Sequence, residues 1–129
     1  MQRTSASVAL MIAVVLGVAL ELVVTAISGA AEAWDSSTYW AVGYPAAVIL
    51  CGALGYYSPK NWQAHGPLLL GAQWIIMAIG KTPGPLTLPG LLFAAVLSVP
   101  CVVAGFVGAA TAGHFRQAND RSPPAQAPP

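Results

Sequence analysis

Four long apolar runs, separated by short polar or proline-rich breaks, dominate the chain. The first, SVALMIAVVLGVALELVVTAISGAA from Ser7 to Ala31, carries a single charged residue. About 20 apolar residues cover a hydrocarbon core of roughly 30 Å, so this run predicts a membrane-crossing helix over residues 7–29. The second, TYWAVGYPAAVILCGALGYY, is uncharged and predicts a helix over 38–57. Asp35, Ser36 and Ser37 stand before it, each able to cap free N–H groups. Ser58-Pro59 ends it, because a residue before proline is pushed out of helical angles. The third helix is expected over 62–80, with Asn61 as a cap and Pro67 early enough to be tolerated. The fourth is expected over 89–112 with Pro100 inside it, which a membrane helix accepts if a neighbour satisfies the freed carbonyl. KTPGPLTLP reads as a stiff turn between the last two helices. The polar, proline-rich stretch 114–129 reads as a disordered tail after a helical domain of 1–113.

Composition agrees. Of 129 residues, 57% are hydrophobic and 7% charged, with mean hydropathy +0.69. A soluble domain carries roughly a quarter charged residues, so a water-facing globule is excluded. Five Lys+Arg against four Asp+Glu leave no basic stripe for nucleic acid. The fold class is therefore all-α, a polytopic bundle of four transmembrane helices with lipid as its first partner. Arg3, Lys60, Arg116 and Arg121 fall on one side of that topology and Lys81 on the other. The positive-inside rule then places both termini in the cytoplasm of a bacterial inner-membrane protein. Trp34, Tyr39 and Trp40 mark the outer interface, and Tyr56, Tyr57, Trp62 and Phe115 the inner one. A competing reading takes the start of the chain as a signal peptide cleaved at Ala31-Glu32-Ala33. It would leave three spans with Lys60 outside. The apolar run is longer than the 7–15 residues usual for a secretory core.

Helices in lipid associate through close packing and polar contacts. The fourth helix carries a seam of small residues at Ala94, Ser98, Cys101, Gly105, Gly108 and Ala112. The second carries Gly43, Ala47, Cys51 and Gly55 at steps of four. Such seams serve either the bundle interior or a homodimer contact. Cys51 and Cys101 lie in them as small hydrophobes. No metal site is expected from two cysteines without suitable histidines, and His65 and His114 are expected at the cytoplasmic surface. Nothing in the chain suggests a cofactor.

Glu21 needs its own explanation, because an ionised group deep in a bilayer costs at least ~2.5 kcal/mol. It lies about 4.5 Å outward of the centre of its helix at 1.5 Å per residue. It must therefore be protonated, paired or facing water. Tyr44, Gln73 and Ser98 fall near the same level on the other helices, and Thr25 one turn further out. These residues form a candidate polar layer or a proton or ligand site. No Ser/His/Asp arrangement, phosphate loop or paired carboxylates point to catalysis, so an enzyme is not expected.

A four-span chain of this length with Glu21 in its first helix resembles the small multidrug resistance family. That resemblance implies a homodimer in which Glu21 exchanges protons for a cationic substrate. The basic proline-containing turn after the second helix, Gln73 and the stretch LTLPGLLFAAVLSVPCVVAGFVGA are similar to small bacterial inner-membrane proteins, a likeness that supplies no activity. The leading expectation is an accessory or assembly component, packing through small-residue faces against itself or a larger membrane protein. The alternative is a proton-coupled small transporter.

Overall fold

A computed structural model describes residues 6–30, 32–79 and 87–120. Among them the chain forms four helices and no strand: α1 (Ala6–Ser28), α2 (Tyr44–Tyr57, entered through a π-helical turn at Tyr39–Gly43), α3 (Trp62–Ile79) and α4 (Thr87–Asp120). Short 3-10 turns at Ala33–Asp35 and Pro59–Asn61 complete the order. Three helical stretches are long and apolar enough to cross a membrane: Ala6–Ser28, Tyr39–Tyr57 and Leu88–Asn119. Residues 81–86 of the turn expected at KTPGPLTLP, the Ala31 of the cleavage pattern, and Arg3, Lys81 and Arg121 lie outside the described residues, while Thr87, Leu88 and Pro89 of that expected turn form the start of α4.

Local chemistry sets the boundaries. Gly29 takes the left-handed conformation (φ 66°) and its N–H closes on the Thr25 carbonyl (2.9 Å), an end that a residue with a Cβ would strain. Of the three candidate caps before the second helix, Ser36 does the work. Its Oγ accepts the Tyr39 N–H (3.1 Å) and donates to the Ala33 carbonyl (2.8 Å). Pro45 explains the π turn that follows. Lacking an N–H, it cannot continue the α ladder, and the preceding turn widens so that the Tyr44 N–H reaches the Tyr39 carbonyl. Ser58, outside helical angles (φ −128°, ψ 71°) before Pro59, ends α2.

The last helix runs further than its apolar pattern, which ends at Ala112. Residues 114–120 of the expected tail are helical, because Arg116, Gln117 and Ala118 are good helix formers and no proline intervenes before Pro123.

The α3 helix is the hub. It packs on α1, α2 and α4, whereas α1 and α2 touch only lightly. That position explains its modest hydropathy: His65 and Gln73 are buried against protein, not lipid. Large apolar side chains face outward on the other helices, among them Met11, Ile27, Ile49, Val96 and Val103. Exposed apolar side chains on this scale fit a membrane protein.

Both small-residue seams are used inside the bundle. A Cβ on Gly55 would collide with the backbone of Gly105, and one on Gly108 with the carbonyl of Gly52 and the Tyr56 nitrogen. One on Gly105 would come within 2.9 Å of the Trp62 carbonyl, and one on Gly43 within 3.1 Å of Tyr39 and Val24. Ala47, Cys51, Ala94, Ser98, Cys101 and Ala112 are buried along the same lines, with both cysteines free. Of the two uses open to these seams, the interior one is realised, so a second copy would have to meet other surfaces.

Pro100 is accommodated by a neighbour. Tyr44 on α2 donates its hydroxyl to the Leu97 carbonyl (2.9 Å), next to the Val96 carbonyl that Pro100 leaves without its helical N–H. Tyr44→Phe is expected to lower stability by about 1 kcal/mol, measured as a drop in thermal midpoint in lipid nanodiscs.

Candidate functional site: a buried carboxyl layer

The inward face of α1 reads Ala9, Ala13, Gly17 and Glu21 at steps of four. The small residues bring α3 so close that a Cβ on Gly17 would strike the Leu69 carbonyl. One turn beyond Leu69 stands Gln73, at the level of Glu21. Glu21 is only 5% exposed and Gln73 fully buried. The close approach of two backbones thus carries two polar side chains into one dry layer.

Partners in this layer come from the α1–α2 connection. Glu21 Oε1 accepts the backbone N–H of Ala33 (3.3 Å), which ties the connecting loop down over the end of α1. Tyr39, in the π turn, is fully buried and donates its hydroxyl to Gln73 Oε1 (2.9 Å). Its ring packs with Val24 and with Ala33, whose N–H meets Glu21. Thr25 stands beside the carboxyl group with its Oγ1 donating to the Glu21 backbone carbonyl (2.6 Å). Glu21 Oε2 and Gln73 Nε2 are buried without hydrogen-bond partners, an acceptor and a donor in the same layer.

Aromatic rings pack over the end of the bundle that carries this loop. Trp34 meets Phe93 (5.6 Å between centroids), and Trp40 meets Tyr39 (5.3 Å) and Phe93 (6.1 Å). The Trp40 indole N–H donates to the Trp34 carbonyl (2.9 Å), which fixes the loop that holds Ala33.

Of the five residues expected to share a layer, Glu21, Gln73 and Ser98 are buried and Thr25 and Tyr44 half-buried, and Glu21 and Gln73 bond to separate partners, Ala33 and Tyr39. Tyr44 instead serves the Leu97 carbonyl, and Ser98 donates to the Ala95 carbonyl of its own helix (2.7 Å). Tyr39 is the residue the sequence reading missed, because an aromatic at the start of a span reads as an interface marker. A signal was present: the seam Gly43, Ala47, Cys51, Gly55 extended back by one step of four lands on Tyr39.

His65 needs a similar correction. It was expected at the surface, yet it is fully buried with both ring nitrogens unpartnered, since it shares the Leu69 and Gln73 face of α3. His114 is exposed on the end of α4. Among the described residues, no group of three or more His, Cys, Asp or Glu side chains could hold a metal ion. A separate groove of about 200 Å³ between α1 and α3 is lined by Val14, Val18, Leu68, Gly71 and Ile75 among others. Those linings are apolar.

No protein-family model, curated protein or solved structure matches the chain.

Proposed function

We propose that this chain is a four-pass protein of the bacterial inner membrane, with both termini in the cytoplasm, acting as an accessory or assembly component of a larger membrane protein. Burial of its polar side chains against protein supports α3 as the fourth span, and the distribution of Arg3, Lys60, Arg116 and Arg121 supports the orientation. One observation carries the accessory role. The exposed apolar ridge of α4 from Leu88 to Val107 covers about 29 Å, the thickness of a hydrocarbon core. The helix then continues to Asp120, a further 20 Å or so. Beyond Ala112 this arm is exposed, with Phe115 and Arg116 uncovered. Phe115 leaves a large apolar side chain uncovered on this arm, and a partner protein at the membrane surface covers it. The small-residue seams are not that surface, being occupied within the bundle. The test is photocrosslinking in cells from a reactive side chain at position 115, with position 14 as a lipid-facing control. A discrete heavier protein adduct is expected from 115 alone. Lipid adducts only, from both positions, would remove the proposal.

A second reading, a proton-coupled transporter of a cationic substrate, is favoured by Glu21 Oε2 and Gln73 Nε2, which stay unpartnered in a dry layer. Intramembrane ionisable residues mark proton or ion sites by default. On this reading, tetraphenylphosphonium added to the wild type in nanodiscs releases protons, and Glu21→Gln abolishes the release.

A further inference from the structure

We propose that Cys51 and Cys101 form an oxidation site, at which hydrogen peroxide joins the two sulfurs in a disulfide between α2 and α4. The inference is independent of both readings above, since neither the α4 arm nor Glu21 takes part.

The placement of the pair follows from the way the two helices meet. Their contacts ascend together, from Trp40 with Phe93 and Tyr44 with Leu97 to Gly55 with Gly105 and Tyr56 with Gly108. The α2 and α4 helices therefore run in the same direction, and Cys51 and Cys101 fall level with one another between the second and third of these contacts. Cys51 stands one turn before Gly55, and Cys101 one turn before Gly105. At the glycine pair a Cβ on Gly55 would lie 2.8 Å from the Gly105 Cα. A disulfide needs Cα atoms about 4.4–6.8 Å apart, and a seam in which glycine backbones touch brings two helices into that range.

The side chains confirm the meeting. Both cysteines are free and fully buried, lie in one cluster with Ala47, Leu69 and Leu70, and share a hydrogen bond between their thiols. The α3 helix backs onto Cys101, where a Cβ on Gly66 would come within 2.9 Å of the Cys101 Cβ, and leaves it little room to turn aside.

Burial selects the oxidant. An enclosed apolar cluster excludes charged reagents, whereas hydrogen peroxide is neutral and little larger than water. One sulfur attacks a peroxide oxygen. The O–O bond breaks, an S–O bond forms, and the thiol hydrogen leaves with the other oxygen as water. The second sulfur then attacks the sulfur of that sulfenic acid. The S–S bond forms, the S–O bond breaks, and the second thiol hydrogen leaves in a second water molecule. The two thiols give up two electrons, the peroxide is reduced to two waters, and no charge is left in the interior. The neighbouring sulfur intercepts the sulfenic acid before it climbs to the irreversible sulfinic state. The bridge ties together the two helices that share the glycine seam, so oxidation is expected to raise the thermal midpoint.

The full chain in nanodiscs, treated with hydrogen peroxide and then denatured and alkylated, tests this directly. Met11, uncovered on α1, reports the arrival of peroxide by its conversion to the sulfoxide. At doses that oxidise Met11, the wild type is expected to lose both alkylatable thiols while remaining a single chain. Digestion is expected to yield one peptide pair linked through Cys51 and Cys101, and Cys51→Ala none. The midpoint of the wild type is expected to rise on oxidation and to return when a neutral dithiol is added. Two thiols still open to alkylation while Met11 is oxidised overturn the proposal. So do chains joined to one another, or sulfinic acid at either cysteine without a bridge. A bridge that lowers the midpoint overturns it as well, because α2 and α4 would then have to move to be joined.

Discussion

Gly55→Ala is expected to cost about 3 kcal/mol, the upper end for overpacking a close-packed interior. Added to the ideal backbone, the new methyl group would overlap the carbonyl oxygen, carbonyl carbon and Cα of Gly105. All three are backbone atoms of a helix, so no side chain can turn aside, and α2 and α4 must separate along the seam. That separation also loosens the contacts of Gly52 with Gly108 and of Cys51 with Gly105, about one turn towards the start of α2. Gly71→Ala provides the contrast within the same fold. A Cβ there meets nothing within 4 Å, and alanine is the better helix former by nearly 1 kcal/mol. The thermal midpoint in nanodiscs is expected to fall markedly for Gly55→Ala and to stay level or rise for Gly71→Ala. Equal midpoints for the two variants would mean that the α2–α4 approach is not close enough to require glycine.

Gln73→Leu carries the second large effect. It leaves the Tyr39 hydroxyl, fully buried and bonded to Gln73 Oε1 at 2.9 Å, without an acceptor, at a cost of about 1–3 kcal/mol. Tyr39→Phe orphans the other partner at a similar cost. The double variant removes both polar groups together and is expected to lose less than the sum, by about 0.5–3 kcal/mol of coupling. Chemical unfolding of the four forms in one detergent measures that difference. Strict additivity would show that the two side chains do not meet.

Much of this arrangement could be read from residue spacing. Helix ends followed from Ser36 and Ser58-Pro59, because caps and pre-proline positions act over a few residues. The seams followed from steps of three and four, and the structure places them inside the bundle. What could not be read was the use made of individual polar residues. Tyr44 and Ser98 sit near the expected depth, but depth fixes only one coordinate. The rotation of α2 turns Tyr44 to the Leu97 carbonyl, and the local helix satisfies Ser98. Tyr39 and His65 were placed outside for the converse reason. Position near a span's end suggests an interface, while the face of the helix, set by packing on α3, turns each inward. The arm of α4 beyond Ala112 escaped because hydropathy stops where lipid stops, whereas helix propensity does not.

Whether α3 crosses the bilayer is the claim on which the orientation, the depth of the carboxyl layer and the position of the α4 arm all depend. Reporter fusions at successive points of the full-length reading frame test it most directly, with alkaline phosphatase active only outside and a fluorescent protein only inside. Fusions after residues 33 and 84 are expected to give phosphatase activity, and fusions after residues 60 and 120 fluorescence. Fluorescence after 84 together with phosphatase activity after 120 would mean that α3 does not cross, and would contradict the four-pass account.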